Sequence, residues 1–328
     1  MIPIRDTIPS RNYPVVNNTI IGINVVVFLV QLSQGDDLIR FNYIYGLVPA
    51  RYTISHFSSY FSAWDQLFSL ISFMFLHGGF FHLLGNMWSL YIFGDNIEDS
   101  LGPLRYLVFY LLCGLASGLS HLLLNLHSNI PTIGASGAIS GVMGAYFLLY
   151  PKSRILTIIP IIIIPWFVEL PAFIFLGIWI LMQMLNAAGS QAGAAGIAWW
   201  AHIGGFLFGI VFLKAFQAYP NVGVMAQVAK ATARKKTDKL QIIHPVSQGD
   251  SPHMYGVLAI SIYESLTGTQ KMVNVPWGFQ NRLFRVSVPA GTRHGSLLKL
   301  QGLGKIISHG ERGDLYLKVL IQDQGMPR

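Results

Sequence analysis

Charge is what this chain lacks most. Only 11% of its residues are Asp, Glu, Lys or Arg, and 52% are hydrophobic, where a soluble domain carries about 25% charged residues. A chain this poor in charge reads as lying largely in lipid. Cysteine is scarcer still. Cys113 is the only one and sits in an apolar run, which excludes a disulfide framework and a cysteine-based metal site. Acid is also short against base, 14 residues to 22, for a formal net charge of +8. That surplus does not require nucleic acid as a partner. Its densest run, Lys230 to Lys239, follows the last apolar segment, where a cytoplasmic flank beside anionic lipid fits it better. No cleavable leader is apparent at the start: residues 1–16 are polar with three prolines, and the first apolar run reads as a retained anchor.

The charges that exist are unevenly spread. Few fall between Asn17 and Gln217, whereas the remainder has ordinary composition. This predicts a membrane domain followed by a soluble one. The apolar stretches resolve into six helices, at about 17–32, 79–97, 104–126, 136–150, 170–185 and 199–216. Between the first two lies a connector of about thirty residues, rich in Phe, Tyr and Trp, which suits the interface. Residues 155–171 are broken by Pro160, Pro165 and Pro171 and read as a re-entrant or interfacial piece. Lys152 and Arg154 mark the exit of the fourth helix, so basic termini and this turn fall on the same, inner side. From about residue 240, short alternating or β-branched runs are separated by Gly- and Pro-bearing turns, the pattern of a β-domain. The resulting division is 1–16, an N-terminal cytoplasmic segment; 17–218, the membrane domain; 219–240, a basic linker; and 241–328, the β-domain.

One stretch carries the chemistry. Gly134-Ala-Ser136-Gly137 places a serine between glycines at the start of an apolar helix. Backbone N–H groups there lack partners and suit a developing oxyanion. The plainer reading is a serine N-cap on a small-residue membrane helix. A nucleophile needs a base, and ionisable groups within membrane helices are functional candidates. His202 lies in Ala201-His-Ile-Gly204-Gly205-Phe-Leu-Phe-Gly209. Its Gly205/Gly209 face matches Gly137/Gly141 on the fourth helix, so two close-packing faces each accompany half of a possible dyad. In the second helix, His82-Leu-Leu-Gly-Asn86 puts two hydrogen-bond donors on one face. A metal bound by His77, His82 and His202 is the competing reading. Their spacing is not His-Glu-x-x-His, and no carboxylate accompanies them.

Together these residues, with the run Phe75-Leu-His-Gly-Gly-Phe-Phe-His82, Tyr45-Gly-Leu-Val-Pro-Ala-Arg51 and Glu98-x-x-x-Gly102, resemble the rhomboid intramembrane serine proteases over residues of about 15 to 218. The resemblance implies a six-transmembrane-helix bundle, an all-α membrane fold, and a Ser–His dyad without a metal or cofactor. In it Ser136 is the nucleophile and His202 the base; His82, Asn86 and the Ser136 N–H bind the oxyanion, and Gly134 shapes the turn. It also implies transmembrane protein substrates that are partly unwound. Two positions depart from patterns seen in some members: Ser140 stands where an aromatic packs on the histidine, and Trp64-Asp65 where a Trp-Arg pair occurs. No acidic residue is well placed to orient His202. The Gly/Ala loop 189–196 and the fifth helix read as a movable cover.

The tail is similar to the C-terminal substrate-binding domain of DnaJ-type chaperones. Ile260-Ser-Ile-Tyr-Glu264-Ser-Leu-Thr-Gly268, Arg285-Val-Ser-Val-Pro289-Ala-Gly291, Leu298-Lys-Leu-Gln-Gly302-Leu-Gly304 and Gly310-Glu-Arg-Gly-Asp314-Leu-Tyr316 carry the likeness. It implies a small soluble β-sandwich that holds unfolded peptide or chaperone clients. The expected protein is thus a multi-pass enzyme of a bacterial inner membrane with both termini cytoplasmic, and with membrane proteins and lipids, not nucleic acid, as partners. Two alternatives are an inactive rhomboid-like protein that retains membrane clients, against which a complete Ser136/His202 pair argues, and a transporter. The transporter reading lacks internal repeats and a path of intramembrane charges.

Overall fold

The computed structural model describes residues 1–8, 10, 12–161, 164–189, 198–219, 224–232, 240–243, 245–247, 251–277, 280–305 and 312–322. The chain divides into two compact units, Met1–Arg234 and Lys235–Arg328.

The first unit opens with strand β1 (Ile2–Asp6) and helix α1 (Val15–Leu32). The Glu98 carboxylate accepts the backbone N–H groups of Val16 and Asn17 at 3.1 and 2.7 Å, supplying partners that the start of α1 lacks. The aromatic connector then folds into α2 (Leu38–Tyr45), α3 (Ala50–Thr53), α4 (Ser55–Ser58) and α5 (Ala63–Ser72). A reciprocal capping box between Ser62 and Asp65 fixes where α5 begins. Arg51 is wholly buried in this connector. Its guanidinium donates to the carbonyls of Ile44 and Tyr43 and lies over the Phe61 ring, satisfying a charge that would otherwise be costly there.

The long helices follow: α6 (Phe80–Leu101), α7 (Pro103–Leu124), α8 (Ser136–Leu149), α9 (Ala172–Gly189) and α10 (Trp199–Gln217), with α11 (Val224–Ala231) after them. Among the described residues α1, α7, α9 and α10 are long and apolar enough to cross a membrane. The segment Ala63–Phe75 and α6 meet that standard together, bent by 77°, and α8 is a shorter apolar helix. Helix α8 packs against α10, α7 and α6, and its residues from Gly137 to Tyr146 are all buried. Small side chains at Gly137, Ala138, Ser140, Gly141, Gly144 and Ala145 make that central position possible, because they let neighbouring backbones approach closely.

Residues 154–171 depart from the sequence expectation. They form an antiparallel hairpin of β2 (Arg154–Ile161) and β3 (Ile164–Pro171), in which Pro160 faces Pro165, and β1 pairs along the other side of β2. The membrane unit is therefore not all-α. The cause lies in the residues: a run dominated by isoleucine favours extended backbone, and prolines that break helices are tolerated at the edges and ends of strands.

The second unit contains β4 (Leu240–Ile242), β5 (Val246–Ser247), β6 (Met254–Ser261), α12 (Ile262–Thr267), β7 (Thr269–Trp277), β8 (Gln280–Val288), β9 (Leu297–Leu300) and β10 (Leu315–Gln322). Its sheets run β5-β6-β10-β9 and β4-β7-β8. Alternate residues from both, including Leu258, Ile260, Val273, Val275, Val286, Val288, Leu317 and Val319, fill one shared core, as the two-residue period of strands dictates. Helix α12 is set by a capping box between Ser261 and Glu264. Glu264 also pairs at 2.5 Å with Lys271, a lysine only 2% exposed.

Candidate active site

Helices α6, α8 and α10 begin at the same end of the bundle, where α7 and α9 finish. The segment leading into α8 is pinned on two sides. Leu47 and Thr132 form an isolated antiparallel bridge, and the Gly134 N–H donates to the Phe73 carbonyl at 2.9 Å. Gly134 adopts φ +136°, and a Cβ there would lie 2.9 Å from His82 Cε1. Only glycine allows this backbone to turn against the imidazole. Ser136 then opens α8, so the first N–H groups of that helix have no acceptor within it.

Ser136 and His202, 66 residues apart, meet across α8 and α10. The distance from His202 Nε2 to Ser136 Oγ is 2.7 Å, within the range for a short hydrogen bond. His202 is 8% exposed, and Ser136 is half-buried. His82 Nδ1 accepts the Gly78 N–H at 3.2 Å, which leaves the proton on Nε2 of a neutral ring. Asn86 is buried, and its Nδ2 has no partner among the described residues. A buried amide donor without an acceptor is unusual enough to require an explanation. All five side chains or backbones singled out in the sequence, Ser136, His202, His82, Asn86 and Gly134, line one cavity of about 1260 Å³. Its described walls also include Phe73, Trp179, Trp199 and His121.

Several neighbours of His202 were not anticipated. Its Nδ1 lies 2.8 Å from Gln183 Oε1 on α9. The Trp179 ring stands 5.9 Å from the imidazole, tilted by 36°, and Trp199 meets it edge-on at 6.2 Å. Ser140 instead turns its hydroxyl back to the Ser136 carbonyl at 2.6 Å, so α9 supplies the aromatic contact that α8 lacks. The signal for Gln183 lies in the sequence: it is a polar residue inside the apolar run of α9, and such residues are rarely idle. His121, near the end of α7, also lines the cavity wall. Loop 190–196, read as part of a cover, lies outside the described residues. Among the described residues no three His, Cys, Asp or Glu side chains gather into a metal-binding group.

Both units of the chain are similar to known protein families. The family profile described as "Rhomboid domain" matches residues 64–219, and that described as "DnaJ C terminal domain" matches residues 239–325. This chain carries a rhomboid domain. With its apolar helices, it is an integral membrane protein, and its β-rich unit coincides with the DnaJ C terminal match. "Rhomboid protein 1, mitochondrial" of Saccharomyces cerevisiae is 31% identical over 198 residues, covering 59% of this chain and 51% of that protein. "Rhomboid-like protease 5" of Toxoplasma gondii is 29% identical over 178 residues, 52% of this chain and 19% of its own length. "Inactive RHOMBOID-like protein 8" of Arabidopsis thaliana is 34% identical over 88 residues, 27% of this chain and 24% of its own. The chain thus spans about half the length of the yeast rhomboid relative and less of the other two. None of these names supports a bacterial inner membrane.

Proposed function

We propose that this protein is an intramembrane serine endopeptidase working through a Ser136–His202 dyad. The single observation that carries the reading is the 2.7 Å contact between His202 Nε2 and Ser136 Oγ inside a cavity. In the proposed reaction, Ser136 Oγ attacks the carbonyl carbon of the substrate peptide bond while His202 Nε2 accepts the hydroxyl proton. Negative charge then develops on the carbonyl oxygen. The Nδ2 of Asn86, the Nε2–H of His82 and the N–H of Ser136 are the donors assigned to it, beside the turn at Gly134. His202 returns its proton to the leaving amine as the C–N bond breaks, giving an acyl-enzyme and the first product. Water next attacks the ester, again losing a proton to His202, and the second product leaves as Ser136 recovers its own.

The substrate class proposed is a transmembrane segment whose helix is locally unwound, since a helical peptide bond is closed to attack. Six spans, formed by α1, α6, α7, α8, α9 and α10, complete the reading, with the membrane domain assigned to about residues 17–218 and both ends of the membrane unit on one side. The unit from 241 to 328 is assigned as an accessory domain that holds unfolded peptide; the DnaJ C terminal match and the two-sheet core support it. One rival rests on a specific observation: a relative is named inactive, so this chain would bind clients without cutting them.

Incubating purified full-length protein in detergent with a single-span substrate separates the two. Wild type cleaves and both Ser136→Ala and His202→Ala do not, if the enzymatic reading is right. Equal cleavage by all three would remove the dyad assignment, whereas no cleavage by any of them, with the substrate held by the protein, would favour the client-binding rival.

A further inference from the structure

A histidine can act as base toward Ser136 only in one tautomer, with Nε2 bare and the proton on Nδ1. Serine hydrolases commonly use a carboxylate to hold that form, and among the described residues no carboxylate pairs with His202. The group that meets Nδ1 instead is the amide of Gln183, 7% exposed, with Oε1 at 2.8 Å. An amide can present either end, and the two ends have opposite consequences. If Nε2 of Gln183 faced the ring, Nδ1 would have to accept, the imidazole proton would move to Nε2, and the hydroxyl of Ser136 would lose its acceptor.

The structure decides between them one turn earlier on the same helix. Gln183 Nε2 donates to the Trp179 carbonyl at 3.3 Å. Reversing the amide would put Oε1 against that carbonyl oxygen, two acceptors face to face, while the imidazole would have to yield its proton as well. The backbone of α9 therefore fixes the amide, the amide fixes the tautomer, and Trp179, one turn from Gln183, packs on the ring face.

We propose that Gln183 is a positioning residue for His202, its amide oxygen holding the Nδ1–H form so that Nε2 is open to the proton of Ser136. This rests on the reading of Ser136 and His202 as a dyad. It also gives α9 a part in regulating the site. Gln183 and Trp179 both belong to that helix, so any outward movement of α9 takes the acceptor and the neighbouring indole from the base together. The dyad is then ready only while α9 is seated.

The test uses full-length protein with Gln183→Met, which keeps the side-chain volume and removes the acceptor, and Gln183→Glu, which restores one. Gln183→Met is expected to lower kcat by about tenfold to a hundredfold with KM within about twofold of wild type. Gln183→Glu is expected to recover kcat to within about threefold of wild type. A second readout does not depend on turnover. Nitrogen-15 spectra of histidine-labelled protein should show His202 protonated at Nδ1 in the Ser136→Ala background, and a mixture of tautomers when Gln183→Met is added. Wild-type kcat in Gln183→Met, or an unchanged His202 spectrum, overturns the role of Gln183 while leaving the dyad intact. Failure of the dyad itself appears separately, as equal cleavage by wild type and Ser136→Ala.

Discussion

A Cβ added to Gly205 on α10 would lie 2.1 Å from the carbonyl oxygen of Gly137 on α8. One turn further, Gly209 stands in the same relation to the Gly141 carbonyl, again at 2.1 Å. Both distances are far below van der Waals contact, and neither carbonyl can swing aside because it belongs to a helix ladder. Gly137 adjoins Ser136, and Gly205 follows His202 by three residues. The separation of the two functional side chains is thus set by backbone contact, not by their own hydrogen bond.

Enlarging Gly205 tests this directly. Gly205→Val must force α10 off α8, which costs about 1–3 kcal/mol of stability as overpacking. A shift near 1 Å at a reacting pair costs roughly a hundredfold in rate. Labelling of Ser136 by a fluorophosphonate should therefore slow by more than the loss of folded protein explains. Labelling at the wild-type rate, with an unchanged thermal midpoint in detergent, would show that the helices are not in close contact.

The donors assigned to the oxyanion make a second prediction. Asn86 Nδ2 is buried without a partner among the described residues, a state whose cost is recovered when an acceptor arrives. Asn86→Ala is expected to lower kcat by about a hundredfold to a thousandfold. His82→Ala should do so by a similar factor, with little change in KM for either, because the charge they meet exists only in the transition state. The double variant should fall short of the product of the two effects. Cleavage rates over a range of substrate concentrations measure all three.

Much of this arrangement is legible in the sequence, and the reason is local. Gly134, Ser136, His82 and Asn86 are linked by short spacings on helix starts and faces, and helix periodicity converts spacing into geometry. The helices themselves were legible because lipid demands long apolar runs: α10 was expected at about 199–216 and is found at 199–217. What was missed depends on pairing between distant segments. Residues 155–171 carry an apolar pattern that suits an interfacial piece as well as a hairpin, and only the partner strand β1, about 150 residues earlier, discriminates. Gln183 and Trp179 reach His202 through the packing of α9 on α10, which no local spacing encodes.

The same strand pairing brings a carboxylate into an unusual setting. The Asp6 carboxylate group, on β1, accepts from the Tyr146 hydroxyl at 2.5 Å and from Asn96 Nδ2 at 2.9 Å. Burial pushes its pKa up to about 7 from 3.8, with the Tyr146 hydrogen bond opposing and Asp95 adding to the rise. A carboxyl whose folded pKa lies above its unfolded one binds more protons in the native state across the interval between them. Stability then falls as pH rises through that interval, and levels off above it. Thermal midpoints of wild type should drop relative to Asp6→Asn between about pH 4 and 7 and run parallel above. A constant difference across that range would mean that Asp6 does not titrate in the folded protein.

In the second unit, the pair Glu264–Lys271 predicts an asymmetry between its partners. Lys271 is 2% exposed and Glu264 22% exposed, and they meet at 2.5 Å. Burial acts to raise the pKa of Glu264, but hydrogen bonds from Lys271 and Ser261 outweigh it and hold the carboxyl below its usual value. Glu264→Gln leaves the buried ammonium without that carboxylate, which costs about 3 kcal/mol, toward the lower end for a broken buried pair because Glu264 is partly wet. Lys271→Met removes the buried charge and keeps the volume, so it should cost much less. Adding Lys271→Met to Glu264→Gln should then restore part of that stability rather than lower it further, the sign expected when one variant removes the charge whose carboxylate neighbour the other has taken away. Hydrogen exchange of the β7 and β8 amides in the full-length protein reads all three variants in place. If the double variant exchanges faster than Glu264→Gln alone, the ammonium was not what the carboxylate was needed for, and the pair serves only to cap α12.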